Sequence, residues 1–189
     1  MDRIDWSALL AQLEAHRPAD AKEAHDVAFV RAFLLTHPAD AHLRAQLSGH
    51  LTGSGFVLDD ARERVLLLHH ARLDRWLQPG GHGEGETDPR QIALREVEEE
   101  TGLSNEDLRP FPDERLLDVD VHLIPARPGE PEHPHLDLRY GFVARVGVKA
   151  RLSEESRALG WFPLLALPEG CDKALRRAVS KLGGRPPLR

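Results

Sequence analysis

The chain has 189 residues, 41% of them hydrophobic and 30% charged, with a formal net charge of −6. That length suits one domain of ordinary size with a real core, and the acidic balance, with no basic stripe, argues against a nucleic-acid partner. The single cysteine, Cys171, excludes a disulfide framework within the chain, no run approaches the ~20 apolar residues of a membrane span, and the charged start around Asp2 and Arg3 has no apolar signal core, so a cytoplasmic protein with no membrane partner is expected.

In chain order, Trp6, Leu9, Leu10 and Leu13 recur at helical spacing until Arg17-Pro18 interrupts them. Ala24, Val27, Val30 and Leu34 form a second stripe that ends near His37-Pro38. Residues 1–47 are therefore expected to form an N-terminal helical extension, covering a sheet or a partner subunit. From Ser48 the period changes. Segments 50–58 and 64–70 read as strands separated by Asp59-Asp60, and 75–78 as a short strand before Pro79-Gly80-Gly81.

A well-punctuated helix follows. Asp88 stands at its N-cap, Pro89 at its first position, Gln91 completes a capping-box pattern, and Thr101-Gly102 ends it. Leu117, Val119, Val121 and Leu123 then alternate with Asp118, Asp120, His122 and Ile124, which predicts a strand with one buried face. A proline-rich loop spans 125–134, a second alternating strand runs from about 136 to 146, and 158–162 is a short strand. A terminal helix over 172–182 gathers Ala174, Leu175, Ala178, Val179 and Leu182 on one side. The expected architecture is a mixed α/β (α+β) domain over 48–183, followed by a flexible tail at 184–189.

The chemistry concentrates in one helix. Glu96, Glu99 and Glu100 stand at i, i+3 and i+4, so three carboxylates share a face. Like charges at that spacing destabilise an isolated helix by a few tenths of a kcal/mol, roughly, per pair. A cation placed there removes the conflict, and oxygen-only ligands select a hard ion, Mg²⁺ or Mn²⁺. A solvated acidic face is the competing reading of the glutamates alone.

The wider spacing decides between them. Gly81, Arg95, Glu96, Val97, Glu99, Glu100, Gly102 and Leu103 all stand in register with the pattern G-x5-E-x7-R-E-U-x-E-E-x-G-U, where U is a bulky aliphatic residue. Six fixed residue types match by chance about once in 10⁷ placements at average usage. The segment resembles the Nudix box of the MutT-like Nudix hydrolases. It departs at one place: Thr87 stands where the pattern has glutamate, with Glu86 one residue early.

The resemblance implies a Nudix α/β/α sandwich with a mixed sheet, and a pyrophosphohydrolase that cleaves a nucleoside diphosphate linked to another moiety. It implies Glu99 and Glu100 as the main metal ligands, and Glu96 as a further ligand or as the base that activates water. The carbonyl of Gly80 or Gly81 is an additional ligand candidate, and Arg95 orients the neighbouring glutamates. Glu98 points elsewhere and is expected in solvent. A homodimer is compatible with the resemblance.

Residues outside the box carry weaker signals. His82 and Gly81 are expected near the diphosphate, Glu86 in the place of the displaced glutamate, and Trp76 either stacked on a base or in the core. If the strand period extends backward, His133, His135, Asp137 and Arg139 share a face, with His122 opposite. Such histidines suit a separate transition-metal site, but substrate contacts are the preferred reading, because Nudix enzymes take specificity from loops beyond the box. Arg139 is then a phosphate contact, and Glu130 or Glu132 an extra carboxylate. Two rival functions fit the sequence less well. A non-catalytic ligand-sensing module fits poorly with an intact glutamate set, and an isoprenoid diphosphate isomerase needs a cysteine near the diphosphate, whereas Cys171 lies far along the chain.

Overall fold

A computed structural model describes residues 3–127, 129, 131–153 and 156–183. Its helices are α1 (Ser7–Ala15), α2 (Ala21–Thr36), α3 (Pro89–Thr101) and α4 (Lys173–Leu182). Its strands are β1 (His50–Leu58), β2 (Arg64–His70), β3 (Arg75–Leu77), β4 (Gly80–His82), β5 (Leu108–Pro110), β6 (Asp118–Ile124), β7 (His133–Ala144) and β8 (Ser156–Pro163). The expected tail and Glu130 lie outside the described residues.

All eight strands join one mixed sheet. At its centre β1 runs parallel to β7 along its whole length, from His50 opposite His135 to Leu58 opposite Val143. The other edge of β1 is shared: its first half pairs antiparallel with β4, and its last residue meets β2. β7 in turn carries β6 and β5 on its outer edge, while β2 carries β3 and β8. This mixed α/β sheet with four helices is the expected fold class.

Two apolar cores lie on the two faces. On one, α3 packs on β1 through Ile92, Ala93 and Val97, with Tyr140 and Phe142 of β7 beside it. The approach is close because β1 has glycine where the helix crosses: a Cβ on Gly53 would stand 2.5 Å from the carbonyl oxygen of Pro89, inside van der Waals contact. Trp6, Leu9 and Leu13 of α1 and Val27, Val30 and Leu34 of α2 join this same core. On the other face α4 sets Leu175, Ala178, Val179 and Leu182 against Phe56, Leu58, Val65 and Leu67. No helix among the described residues is long and apolar enough to cross a membrane.

The alternation in β6 has a different outcome from the one its sequence suggests. Asp118 and Asp120 are buried, not solvated. Arg177 of α4 donates to both carboxylate oxygens of Asp118 at 2.8 Å, Lys181 stands 3.0 Å from it, and Lys22 of α2 reaches Asp120 at 2.5 Å. The outer edge of β6 is covered by side chains: Glu23 accepts the Val119 N–H at 3.2 Å and Asp26 the Val121 N–H at 3.0 Å. Edge amides left exposed invite pairing with another chain, and these two are occupied. Burial opposes ionisation of Glu23, but hydrogen bonds with His16, the Ala19 N–H and Lys181 outweigh it and hold the carboxyl well below the usual range.

Candidate active site

The carboxylate helix owes its position to its ends. The Asp88 side chain accepts the Arg90 N–H at 2.9 Å, Pro89 occupies the first turn, and Gly102 closes the helix at φ 69° with its N–H on the Glu98 carbonyl. Val97, Ala93 and Ile92 face the sheet, which turns Glu96, Glu99 and Glu100 toward β4 and solvent. Glu98 is exposed, as expected.

The glycine pair of β4 brings backbone within reach of these carboxylates. Glu100 accepts the Gly80 N–H at 2.9 Å. A Cβ on residue 81 would fall 2.5 Å from Oε2 of Glu96, so the absence of a side chain at Gly81 is what admits that carboxylate. Arg95 lies 2.9 Å from Glu96 and 3.4 Å from Glu99, and its guanidinium also donates to the His82 carbonyl. It thus ties two of the glutamates to the end of β4. Glu84, which the sequence did not single out, stands 3.6 Å from Arg95. The donors are all oxygens, one of them nearly buried and one more than half exposed (12% and 56% for the Glu96 and Glu99 side chains). That set fits a hard divalent cation open on one side to a phosphate ligand.

The displaced loop glutamate has a local role. Glu86 accepts the Thr87 N–H at 2.6 Å and the Asp88 N–H at 2.9 Å, and so caps the entry to α3. Trp76 is half-buried, edge-on to Phe162 and to His69, and packs in the core beneath α4. It belongs to packing there, not to an open base-stacking surface. Glu132 is exposed at the start of β7.

Arg139 corrects the expectation most clearly. It is 3% exposed and enclosed by Asp137 at 2.7 Å and by Asp118 and Asp120 at 3.3 Å each. Burial alone would lower its pKa, but the three aspartates outweigh it and raise the value. A guanidinium so occupied is a counter-ion of the interior, with no face left for a phosphate.

The histidines converge on the opposite sheet face. Thr52 pairs with His82 and Ser54 with Gly80, so by strand alternation the His82 ring projects away from the side where Gly81 meets Glu96. It joins His50, His133 and His135, which the parallel pairing of β1 with β7 brings together. Burial, then the neighbouring imidazoles, push the His135 pKa down to about 2, so this ring is neutral. His50 was not marked in the sequence, because its register with His135 comes from strands more than eighty residues apart.

Residues 49–182 match the NUDIX domain. The chain belongs to that family. It is a hydrolase acting on phosphoanhydride bonds. It is 25% identical over 132 residues to a probable DHNTP pyrophosphohydrolase of Lactococcus lactis, a match that covers 70% of this chain and 75% of that one. Among solved structures it resembles a C. elegans Ap4A hydrolase in a binary complex, with a TM-score of 0.58 at 21% identity over 71% of this chain and 95% of the other. A MutT NUDIX hydrolase from Burkholderia pseudomallei superposes with a TM-score of 0.51 at 27% identity, over 70% and 97% of the two chains.

Proposed function

We propose that this Nudix hydrolase is a Mg²⁺-dependent pyrophosphohydrolase that cleaves the diphosphate linkage of a nucleoside diphosphate joined to another moiety, with Mn²⁺ as an alternative ion. The observation that carries the reading is the face of α3 that sets Glu100 on the Gly80 N–H and Glu96 over the bare backbone of Gly81, with Arg95 reaching Glu96, Glu99 and the end of β4. The names of the relatives agree in chemistry, since DHNTP and Ap4A both contain phosphoanhydride bonds.

When bound, a divalent cation neutralises phosphate oxygens and lowers the pKa of a coordinated water. The chain's residues divide the remaining work. Glu99 and Glu100 would hold the ion, with the Gly80 carbonyl as a further ligand. Glu96 either joins them or takes the proton from the attacking water; its low exposure and its contact with Arg95 hold it in one position for either task. Water then adds to one phosphorus, the bridging P–O bond breaks, and two phosphate-bearing products leave. Arg95 keeps the glutamates aligned against their mutual repulsion.

Product formation, followed by chromatography, from a panel of ADP-ribose, a nucleoside triphosphate, DHNTP, Ap4A, a sugar nucleotide and coenzyme A, with Mg²⁺ and with chelator, tests the reading. Turnover of at least one nucleoside compound, abolished by chelator and restored by Mg²⁺, is the expected result. Binding without turnover of any member would sink it.

A further inference from the structure

Five histidines stand on one side of the sheet, on the face away from the glutamates: His50 on β1, His82 on β4, His122 on β6, and His133 and His135 on β7. His50, His133 and His135 each place one ring nitrogen within 4.8 Å of the other two. His82 brings its Nε2 to 3.2 Å from Nε2 of His135, and Nε2 of His133 lies 3.3 Å from that same atom.

Hydrogen bonding alone serves this arrangement poorly. Nε2 of His135 holds either one proton or one lone pair, yet it faces two ring nitrogens at bonding distance. The carbonyl of Pro131 can only accept, and Nδ1 of His133 is 2.8 Å from it, so that nitrogen carries a proton and Nε2 is the one that faces His135. A ring nitrogen fixed by a carbonyl on one side and aimed inward on the other is the outer support of an imidazole metal ligand. The spacing agrees as well. Two nitrogens at Zn–N distances of about 2.0–2.1 Å in a tetrahedron stand about 3.3–3.4 Å apart, beside the 3.2 and 3.3 Å found here.

We propose that His50, His133 and His135 bind a late first-row transition cation, Zn²⁺ in the first instance. Imidazole ligands without carboxylates select this class over Mg²⁺, the reverse of the preference of the glutamate site. His122, whose Nδ1 is 3.0 Å from Asp120, stands outside the three residues whose ring nitrogens gather. The ion clasps the start of β1 to the start of β7. His82, which directly follows the two glycines under the carboxylates, sets its ring beside His50 and His135, so the clasp borders the strand that the glutamates touch. The proposal does not depend on the pyrophosphohydrolase reading.

The untagged chain, stripped with chelator and dialysed, is titrated with Zn²⁺ and separately with Co²⁺ in the presence of excess Mg²⁺. The expected result is a single tightly held ion per chain, and with Co²⁺ the intense visible absorption of a tetrahedral nitrogen-ligated site. His133→Asn and His135→Asn should each weaken Zn²⁺ binding at least about tenfold, as expected for a lost ligand, while Glu99→Gln leaves the stoichiometry unchanged. Failure of the wild-type chain to bind Zn²⁺, or a Co²⁺ spectrum of octahedral oxygen type, overturns the proposal without reference to any variant. So does a His133→Asn, His135→Asn double variant that retains wild-type affinity. Loss of Zn²⁺ binding in Glu99→Gln would instead assign the ion to the carboxylates and overturn it too.

Discussion

Two acidic clusters in this molecule look alike in sequence and are built in opposite ways. Asp118, Asp120 and Asp137 lie inside, each within ion-pair reach of Arg139, with Arg177, Lys181 and Lys22 closing the first two from α4 and α2. Glu96, Glu99 and Glu100 lie at the surface of one helix, where Arg95 is the cation that reaches both Glu96 and Glu99. The first cluster is compensated within the chain and ties α2, α4, β6 and β7 together. The second sets Glu96 and Glu99 beside Arg95, and Glu96 and Glu100 against the backbone of β4, on a face partly open to solvent. Burial, more than charge density, separates the two clusters.

The largest effect expected from breaking this contrast falls on the interior. Arg177→Ala removes the two 2.8 Å donors to a fully buried Asp118, and breaking a buried ion pair from one side costs roughly 3–5 kcal/mol. Urea denaturation should show that loss, while kcat per folded molecule stays near wild type. A loss under about 1 kcal/mol would mean that Lys181 and Arg139 suffice to balance Asp118, and the contrast would weaken.

Glu99→Gln should give the mirror image. Activity should fall at least about tenfold and up to about a thousandfold in kcat, the scale of losing one electrostatic element. Stability should stay level or rise by a few tenths of a kcal/mol, roughly, because a like-charge neighbour is gone. Near-wild-type turnover would remove Glu99 from the metal ligands.

The same contrast explains what could be read from the chain. The catalytic helix was legible because its signals are local: Asp88, Pro89 and Gly102 mark its ends, and the glutamates sit within five residues of one another. The alternating strands were legible for the same reason. Asp118 and Asp120 were not, because their burial depends on Arg177 and Arg139, which the tertiary fold supplies. Arg139 was misjudged on the same ground, since an arginine beside histidines and an aspartate reads as a binding residue until its three partners are placed. In α2 the apolar stripe suggested Ala24 as a buried position, whereas Glu23 and Asp26 are the residues turned inward, onto the edge of β6. Only the parallel register of β1 with β7 could have brought His50 to His135.

Acid should separate the clusters further. Glu23 has its folded pKa well below its unfolded value of 4.5. Its contribution to stability is therefore fully present above that value and is lost as the pH falls below it toward the folded pKa. Chemical denaturation at successive pH values should show stability declining below about pH 4.5, where the unfolded chain binds the proton first. In Lys181→Met, which removes a cation from Glu23, the decline should be shallower and start from a lower plateau. An unchanged slope would show that His16 and the Ala19 N–H hold the carboxylate without help from α4.

The smallest expected change in stability tests the finest feature of the chemical cluster. Gly81→Ala would put a methyl group 2.5 Å from Oε2 of Glu96, closer than any real contact. The obstruction is the far end of a flexible side chain, so Glu96 can turn away at a cost in stability of about 0.5 kcal/mol or less, the usual range for a partly exposed site. Turning it away, however, moves a carboxylate by a distance that matters for catalysis, where a misplacement of about 1 Å can cost a hundredfold. The expected result is a loss of kcat of tenfold or more, roughly, with a Tm within a degree or two, roughly, of wild type. If kcat holds, the Glu96 carboxylate does not need its seat over β4, and the work falls to Glu99 and Glu100.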